Sequence, residues 1–171
     1  MSESLPTATM LTRALAVLYD SMVGVAILFV GTAVALPLNQ GEAFSPGNPF
    51  YATWIFGLLF AYFGYFWTRA GQTLGMRAWR LRVEAAAGGG MSWLQVILRF
   101  FSALPAWVVL GAGVVKAFVP SDLFLAAIPG DVLALVGTLW IILDQWPNGW
   151  RDRFSETRVV RLPKGTPRTP V

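Results

Sequence analysis

Four ionisable residues in or beside hydrophobic stretches are the candidates for chemistry in this sequence. Arg13 opens the first hydrophobic stretch, and Asp20 lies inside it. Arg99 lies among aromatic residues, and Asp144 closes the last hydrophobic stretch. An aspartate at the middle of a bilayer costs about 2.5–3.5 kcal/mol even on mild insertion scales, so such residues usually face protein or water. The expected chemistry is therefore the binding or relay of charge.

The spacing of Arg13 and Asp20 excludes a simple direct ion pair between them. Seven residues place both side chains on one helix face, but about 10.5 Å of helical rise separates them. Each therefore needs a partner elsewhere, and Arg99 and Asp144 are the available candidates. We predict a cluster of these four residues near the cytoplasmic boundary. It would line a polar entrance or hold the helices in register as satisfied ion pairs, and the structural role is favoured.

The composition indicates that lipid surrounds much of the chain. Of 171 residues, 56% are hydrophobic and 13% are charged, whereas roughly 25% are charged in soluble domains. This length predicts one domain. The sequence contains neither cysteine nor histidine, which excludes thiol catalysis and the commonest metal ligand. Because no nucleophile and base are paired in any motif either, we expect no catalytic residues, no enzyme activity, no metal and no cofactor.

The hydrophobic stretches predict an all-α integral membrane protein with about four transmembrane helices. The predicted spans are 14–36, 50–68, 100–119 and 123–143. They lie in a membrane domain at 13–162, between a polar leader at 1–12 and a flexible basic tail at 163–171. The last two spans would form a hairpin across Pro120-Ser121-Asp122. A three-span alternative would place the basic tail outside, so it is the weaker one.

A short interfacial helix is expected just before the third span. Ser92 could cap it, and its apolar stripe runs to Leu104, where Pro105 would bend the chain into the bilayer. Two segments, 79–84 and 157–162, predict short strands that form a small β-hairpin-like pairing at the cytoplasmic face. The Gly71 and Gly75 pair favours a helix stop with a tight turn over a close approach of two helices.

The positions of the basic residues predict the topology. The net charge is +4, and apart from Lys116 all Lys and Arg residues lie at the start of the first span (Arg13), between the second and third predicted spans, or in the C-terminal segment from Gln145 on. Basic segments stay cytoplasmic, so both termini are expected inside. The same placement makes the lipid bilayer the expected partner and argues against nucleic acid. A signal peptide ending near 33–35 is disfavoured, because the apolar stretch is too long and contains Asp20.

Several motifs, in order along the chain, resemble those of the RDD family of bacterial membrane proteins. Residues 13–20 supply an arginine and an aspartate to the opening motif, and residues 72–83 are similar to the central signature. Arg99 matches a following arginine, and residues 144–160 resemble the closing segment. The likeness covers residues 10–163. Besides the four charged candidates, it marks as family-motif positions Thr73, Gly75, Asp152 and Thr157.

The resemblance implies a polytopic protein of the bacterial inner membrane with a role in transport of ions or small solutes. Sodium/proton exchange is the activity claimed for some members. Asp20 and Asp144 would then bind or relay a cation, with Arg13 and Arg99 setting the charge balance. Four helices are few for a transporter that acts alone, so we expect that the protein could form a homo-oligomer. The alternative is a membrane scaffold or accessory subunit that docks a membrane partner protein or anionic lipid through its basic cytoplasmic face.

Two features depart from the family pattern. Arg151 stands before the closing aspartate, where members commonly have histidine, so a role that depends on that imidazole is in doubt. The stretch between Arg99 and Asp144 is also longer than expected, which fits the extra span.

Overall fold

The chain is a set of long apolar helices joined to a small folded region at one end. The computed structural model describes residues 5–45, 47–118 and 128–163. The elements in chain order are α1 (Met10–Ala35), a 3₁₀ turn (Leu36–Asn39), α2 (Pro49–Arg69), α3 (Leu74–Ala78), β1 (Leu81–Ala85), α4 (Trp93–Phe118), α5 (Gly130–Leu143), α6 (Trp150–Phe154) and β2 (Thr157–Arg161).

Three helical segments are long and apolar enough to cross a membrane. They are Met10–Asn39, Pro49–Arg69 and Trp93–Ala117, and they agree with the predicted helical membrane protein. The fourth predicted span matches α5, which has 14 described residues. Its rise of about 21 Å is less than the hydrocarbon core of roughly 30 Å. Residues 119–127, which contain the start of that span and the predicted connection, lie outside the described residues.

The separate interfacial helix does not exist, because α4 is continuous through Pro105. The predicted cap is present, since the Ser92 hydroxyl accepts a hydrogen bond from the backbone N–H of Gln95. A proline inside a helix removes one backbone hydrogen bond, and inside a membrane protein neighbouring packing tolerates that loss. The apolar stripe assigned to the interface is therefore the first half of a spanning helix.

Helices α4 and α5 pack backbone against backbone as an antiparallel pair. A Cβ atom on Gly113 would lie 2.3 Å from the backbone nitrogen of Ala134, and one on Gly137 would lie 2.4 Å from that of Leu110. Both distances are too short for any side chain. Glycines at helix contacts in membranes permit this approach, so the predicted hairpin of the last two helices is a tight unit.

The two predicted strands pair as expected. Strands β1 and β2 are antiparallel, with Leu81 opposite Arg161 and Val83 opposite Val159. The segment before α1 has more structure than predicted, because Thr7 forms a bridge with Val160 and the side chain of Thr9 caps α1. Residues 1–4 of the leader and 164–171 of the predicted tail lie outside the described residues.

The buried apolar core of the described residues lies at the same end of the helices as the strands. It consists of Ala8, Ala16, Trp67, Leu81, Val83, Met91, Val96, Phe100 and Val159. Much of the helix surface away from this core is apolar and exposed; Phe29, for example, is 78% exposed. A lipid-facing surface accounts for that distribution.

Candidate functional site

Buried charged side chains collect where the start of α1, the start of α4 and the end of α5 meet the strands and α6. We call this region the charged end. Its members are Arg13, Asp20, Arg99, Asp144, Arg151 and Asp152. Each of the four predicted candidates lies in it, but they are paired differently from our prediction.

Asp152 is the centre of the network, although we predicted it only as a family-motif position. Nη2 of Arg13 lies 2.8 and 2.7 Å from its two carboxylate oxygens, and Nη1 of Arg99 lies 2.8 Å from Oδ1. All three side chains are at most 3% exposed. Nη1 of Arg99 also donates to the hydroxyl of Thr157, at 2.6 Å. One carboxylate on α6 therefore joins α1 to α4.

The electrostatics of this triad favour the ionised carboxylate. Burial alone would raise the pKa of Asp152, but the positive charges of Arg99 and Arg13 outweigh it and hold that pKa below its usual value. Two cations around one anion leave the triad with an excess positive charge. Removing either partner of a buried ion pair leaves an uncompensated charge, which is strongly destabilising.

Asp144 forms a second pair, with the neighbouring Arg151. Its Oδ2 lies 2.9 Å from Nη1 of Arg151, whose Nη2 donates to the side chain of Gln145 at 3.0 Å. Burial raises the pKa of Asp144 in spite of the arginine, and burial lowers the pKa of Arg151 to about 10. Arg151, which directly precedes Asp152, therefore neutralises Asp144.

Asp20 contacts no arginine among the described residues. Its Oδ1 accepts hydrogen bonds from the hydroxyl of Tyr62, at 3.0 Å, and from the backbone N–H of Gly75, at 2.9 Å. Its Oδ2 accepts a hydrogen bond from the hydroxyl of Thr73. Three donors thus satisfy this carboxylate without a counter-ion. Our prediction that Arg99 or Asp144 would supply the partners of Arg13 and Asp20 differs from the observed pairing.

The start of α3 brings two of those donors, Thr73 and Gly75, to Asp20 because residue 75 is glycine. A Cβ atom there would lie 2.2 Å from the carbonyl oxygen of Ala16 and 2.8 Å from Cγ of Asp20. The Thr73 hydroxyl also accepts from the N–H of Met76 and caps α3. The close approach of two helices, which we ranked second, is therefore what Gly75 provides. Gly71 has a φ of +65° and fits the predicted tight turn.

A cavity of about 270 Å³ lies between α1 and α4, with α2 behind it. Its charged lining residues are Arg13, Asp20, Arg99 and Arg151, all at one end. Most of the other lining residues are apolar and extend along α1 as far as Leu28. The cavity is therefore charged at one end and apolar along the rest of its length.

Sequence reasoning missed three features of this site. Tyr62 was not among the predicted site residues, yet its hydroxyl reaches Asp20. Arg151 was noted only as a departure from the family pattern, yet it lines the cavity. Asp152 was not expected to be the common partner of two arginines. The sequence did contain a signal for this role of Asp152. Asp152 lies between two arginines shortly after the last hydrophobic stretch, and Arg13 and Arg99 upstream both needed an acidic partner.

The site does not have the donor set of a metal centre. Across residues 5–45, 47–118 and 128–163, no three His, Cys, Asp or Glu side chains lie together as metal ligands. The arrangement can instead fix helices to one another through buried charge, and it can present positive groups to a cavity.

The fold and the charged end define an integral membrane protein whose apolar helices are joined at one end by buried arginine–aspartate pairs. A family model described as the RDD family matches residues 7–156. The chain belongs to the RDD family. No curated protein and no solved structure matches it.

Proposed function

We propose that the protein transports ions or small solutes across the bacterial inner membrane, with the cavity at the charged end as its binding site. The observation that carries this proposal is the cavity itself. It combines about 270 Å³ of space with four charged lining residues, and small-molecule sites commonly pair apolar walls with a few convergent polar groups. Buried ionisable residues within membrane helices commonly mark solute or ion pathways.

The orientation of the protein follows from its charges. We place the charged end and both termini on the cytoplasmic side, since Arg and Lys residues near the ends of spans stay inside. A solute would then meet the charged end from the cytoplasm. The observed pairing gives Asp144 a fixed arginine partner, so a cation-relay role is better supported at Asp20, whose donors are neutral.

Flux into or out of proteoliposomes tests this function. Vesicles loaded with pyranine report proton movement under a sodium gradient, and vesicles loaded with carboxyfluorescein report movement of an organic anion. We expect at least one probe to move faster than in protein-free vesicles, and Asp20→Asn to lower that rate. Asp131→Asn is the matched control, because Asp131 is exposed at the start of α5, at the opposite end of that helix from Asp144 and the charged end. Rates equal to those of protein-free vesicles for both probes would contradict transport.

A second candidate function is docking of a membrane partner or anionic lipid, supported by exposed basic residues beside the charged end. Arg80, Arg153 and Arg161 are exposed there, and basic surfaces beside membrane helices attract anionic headgroups and acidic partners. A scaffold would co-purify with a stoichiometric partner and give no flux. Replacing these three arginines with glutamine would then release the partner, whereas a transporter would keep its flux.

A further inference from the structure

We infer that the cavity takes an acyl chain that ends in an anionic headgroup, with the headgroup at the arginines and the chain along the apolar walls. This inference rests on the proposed function only in using the same cavity as its binding site. It adds the chemical class of the ligand.

The sign of the charge at the cavity end favours an anion. Three of the four charged lining residues are the cations Arg13, Arg99 and Arg151. The fourth, Asp20, already accepts three hydrogen bonds. The carboxylates of Asp144 and Asp152, which neutralise the arginines, are not among the lining residues. The cations therefore lie between the cavity and their counter-ions, and a ligand in the cavity meets positive groups first.

Buried donors at this end lack acceptors. Three residues that line the cavity are Arg13, Arg151 and Trp67. Each has one buried side-chain nitrogen that carries a hydrogen but has no hydrogen-bond partner among the described residues. These nitrogens are Nε of Arg13, Nε of Arg151 and Nε1 of Trp67. Arg13 is only 2% exposed. Unpaired buried donors are uncommon and costly. A phosphate or carboxylate group would supply acceptors once a small side-chain shift brings these nitrogens to the cavity surface, and arginine binds such groups well because of its planar, multiple donors.

The shape and walls of the cavity match a chain rather than a compact solute. Arg13 and Leu28 both line it, and about 22 Å of helical rise separates them. Between them the α1 wall includes Val17, Gly24 and Val25. Val25 is 65% exposed, and Trp107 on the α4 wall is 38% exposed. The apolar part of the cavity is thus open at the helix surface, where lipid chains lie.

The depth of the two ends agrees with the way an amphiphile sits in a bilayer. Arg13 and Arg99 lie near the starts of α1 and α4. At this depth the membrane-spanning segments meet the lipid headgroups. The apolar walls continue toward the middle of the spans. Basic pockets between membrane helices hold anionic headgroups in this manner. An amphiphile could therefore enter sideways from the membrane without moving its charge through the hydrocarbon core.

Native mass spectrometry of the full chain, released from a neutral polyoxyethylene detergent, tests the inference. The probes are dodecyl phosphate, dodecyltrimethylammonium with the same tail and opposite charge, and inorganic phosphate with no tail. We expect one dodecyl phosphate per chain and binding at least about tenfold weaker for the other two. Equal binding of the anionic and cationic amphiphiles, or of phosphate alone, would overturn the inference. A further arm with diacyl phosphatidylglycerol distinguishes a bilayer lipid from a single-chain anion as the natural source.

Two substitutions test the location of the site. A Cβ atom on Gly24 would lie no closer than 4.0 Å to its neighbours, so Gly24→Leu fills the apolar part of the cavity without removing a charged group. Ala26→Leu is the matched control, because Ala26 is exposed on the same helix and does not line the cavity. We expect Gly24→Leu to weaken dodecyl phosphate binding about tenfold or more and Ala26→Leu to leave it unchanged.

Arg151→Gln tests the headgroup end and should weaken dodecyl phosphate binding about tenfold. Because this variant also breaks the pair with Asp144, the Gly24→Leu result decides the matter if Arg151→Gln fails to fold. Unchanged binding in Gly24→Leu would overturn the inference. The outcome is independent of transport: binding without flux contradicts only the proposed function, and flux without dodecyl phosphate binding contradicts only the ligand class.

Discussion

Arg13 and Asp152, 139 residues apart in sequence, form a buried ion pair in which Nη2 of the arginine lies within 2.8 Å of both carboxylate oxygens. This contact closes the chain on itself. It joins the start of the first membrane helix to the last helix before β2. Because Arg99 shares the same carboxylate, the pair also fixes the separation of α1 and α4, and therefore the width of the cavity between them.

Replacing Asp152 with asparagine should destabilise the protein severely. The change leaves Arg13 and Arg99 buried together without a counter-ion, and breaking a buried pair costs about 3–5 kcal/mol. Thermal unfolding in detergent should show a markedly lower midpoint than for the unaltered chain. Arg153→Gln is the control, since Arg153 is the exposed neighbour on the same helix. Equal stability of the two variants would show that Asp152 does not hold the helices together.

The sequence contained enough local information for the helices and strands but not for the partners of the charges. The strand pair followed from alternation at Leu81 and Val83, and the spans followed from long apolar stretches. Which arginine meets which aspartate depends on β2 folding back onto β1. That contact places Thr157 and Asp152 beside Arg99, and no local pattern records it.

Similar limits explain the differences at Asp20 and Pro105. The three donors to Asp20 come from α2 and from the start of α3, and only the glycine at 75 hinted that backbone would lie against α1. Pro105 predicted a bend because proline breaks helices in water. Membrane neighbours tolerate the missing hydrogen bond, so α4 continues through it.

Gly75→Ala should separate α3 from α1 and weaken the hydrogen bonds to Asp20. The added Cβ atom would meet the backbone oxygen of Ala16, which cannot move aside as a flexible side chain would. Overpacking of this kind costs about 1–3 kcal/mol, so the midpoint of thermal unfolding should fall. Gly57→Ala should instead be neutral or stabilise the protein by up to about 1 kcal/mol, since residue 57 has open space in the middle of α2. An unchanged midpoint for Gly75→Ala would refute the close contact.

Lowering the pH from neutral toward 3.8, the ordinary pKa of an aspartate, should stabilise the protein through Asp144. Burial raises the folded-state pKa of this carboxyl above its ordinary value of 3.8, so the folded state takes up a proton before the unfolded state does. Stability therefore rises as the pH falls through the raised pKa, and this gain stops below the ordinary value. Melting midpoints across this range should rise less in Asp144→Asn, where no proton can bind. Parallel curves for the two proteins would be incompatible with a raised pKa.

More acidic conditions should act in the opposite direction through Asp152. Its folded-state pKa lies below the ordinary value of 3.8, because Arg99 and Arg13 outweigh the effect of burial. The stability that this carboxylate provides is present above the ordinary value and is lost as the pH falls through the lowered one. The melting midpoint should therefore fall steeply below about pH 4. A midpoint that keeps rising in that range would show that Asp152 is not held ionised by its arginines.

Labelling of single cysteines should place Ser45 and Arg153 on opposite sides of the membrane. The contact between Arg13 and Asp152 puts the start of α1 and α6 at the same end, which predicts an even number of membrane crossings between them. Ser45 follows the first span and lies at the other end. The sequence contains no cysteine, so Ser45→Cys and Arg153→Cys each carry a single reactive thiol. In spheroplasts, a membrane-impermeant maleimide should label the first variant directly and the second only after lysis. Labelling of both variants in intact spheroplasts would support three crossings. It would also place Arg13 and Asp152, which form an ion pair in the structure, on opposite sides of the membrane.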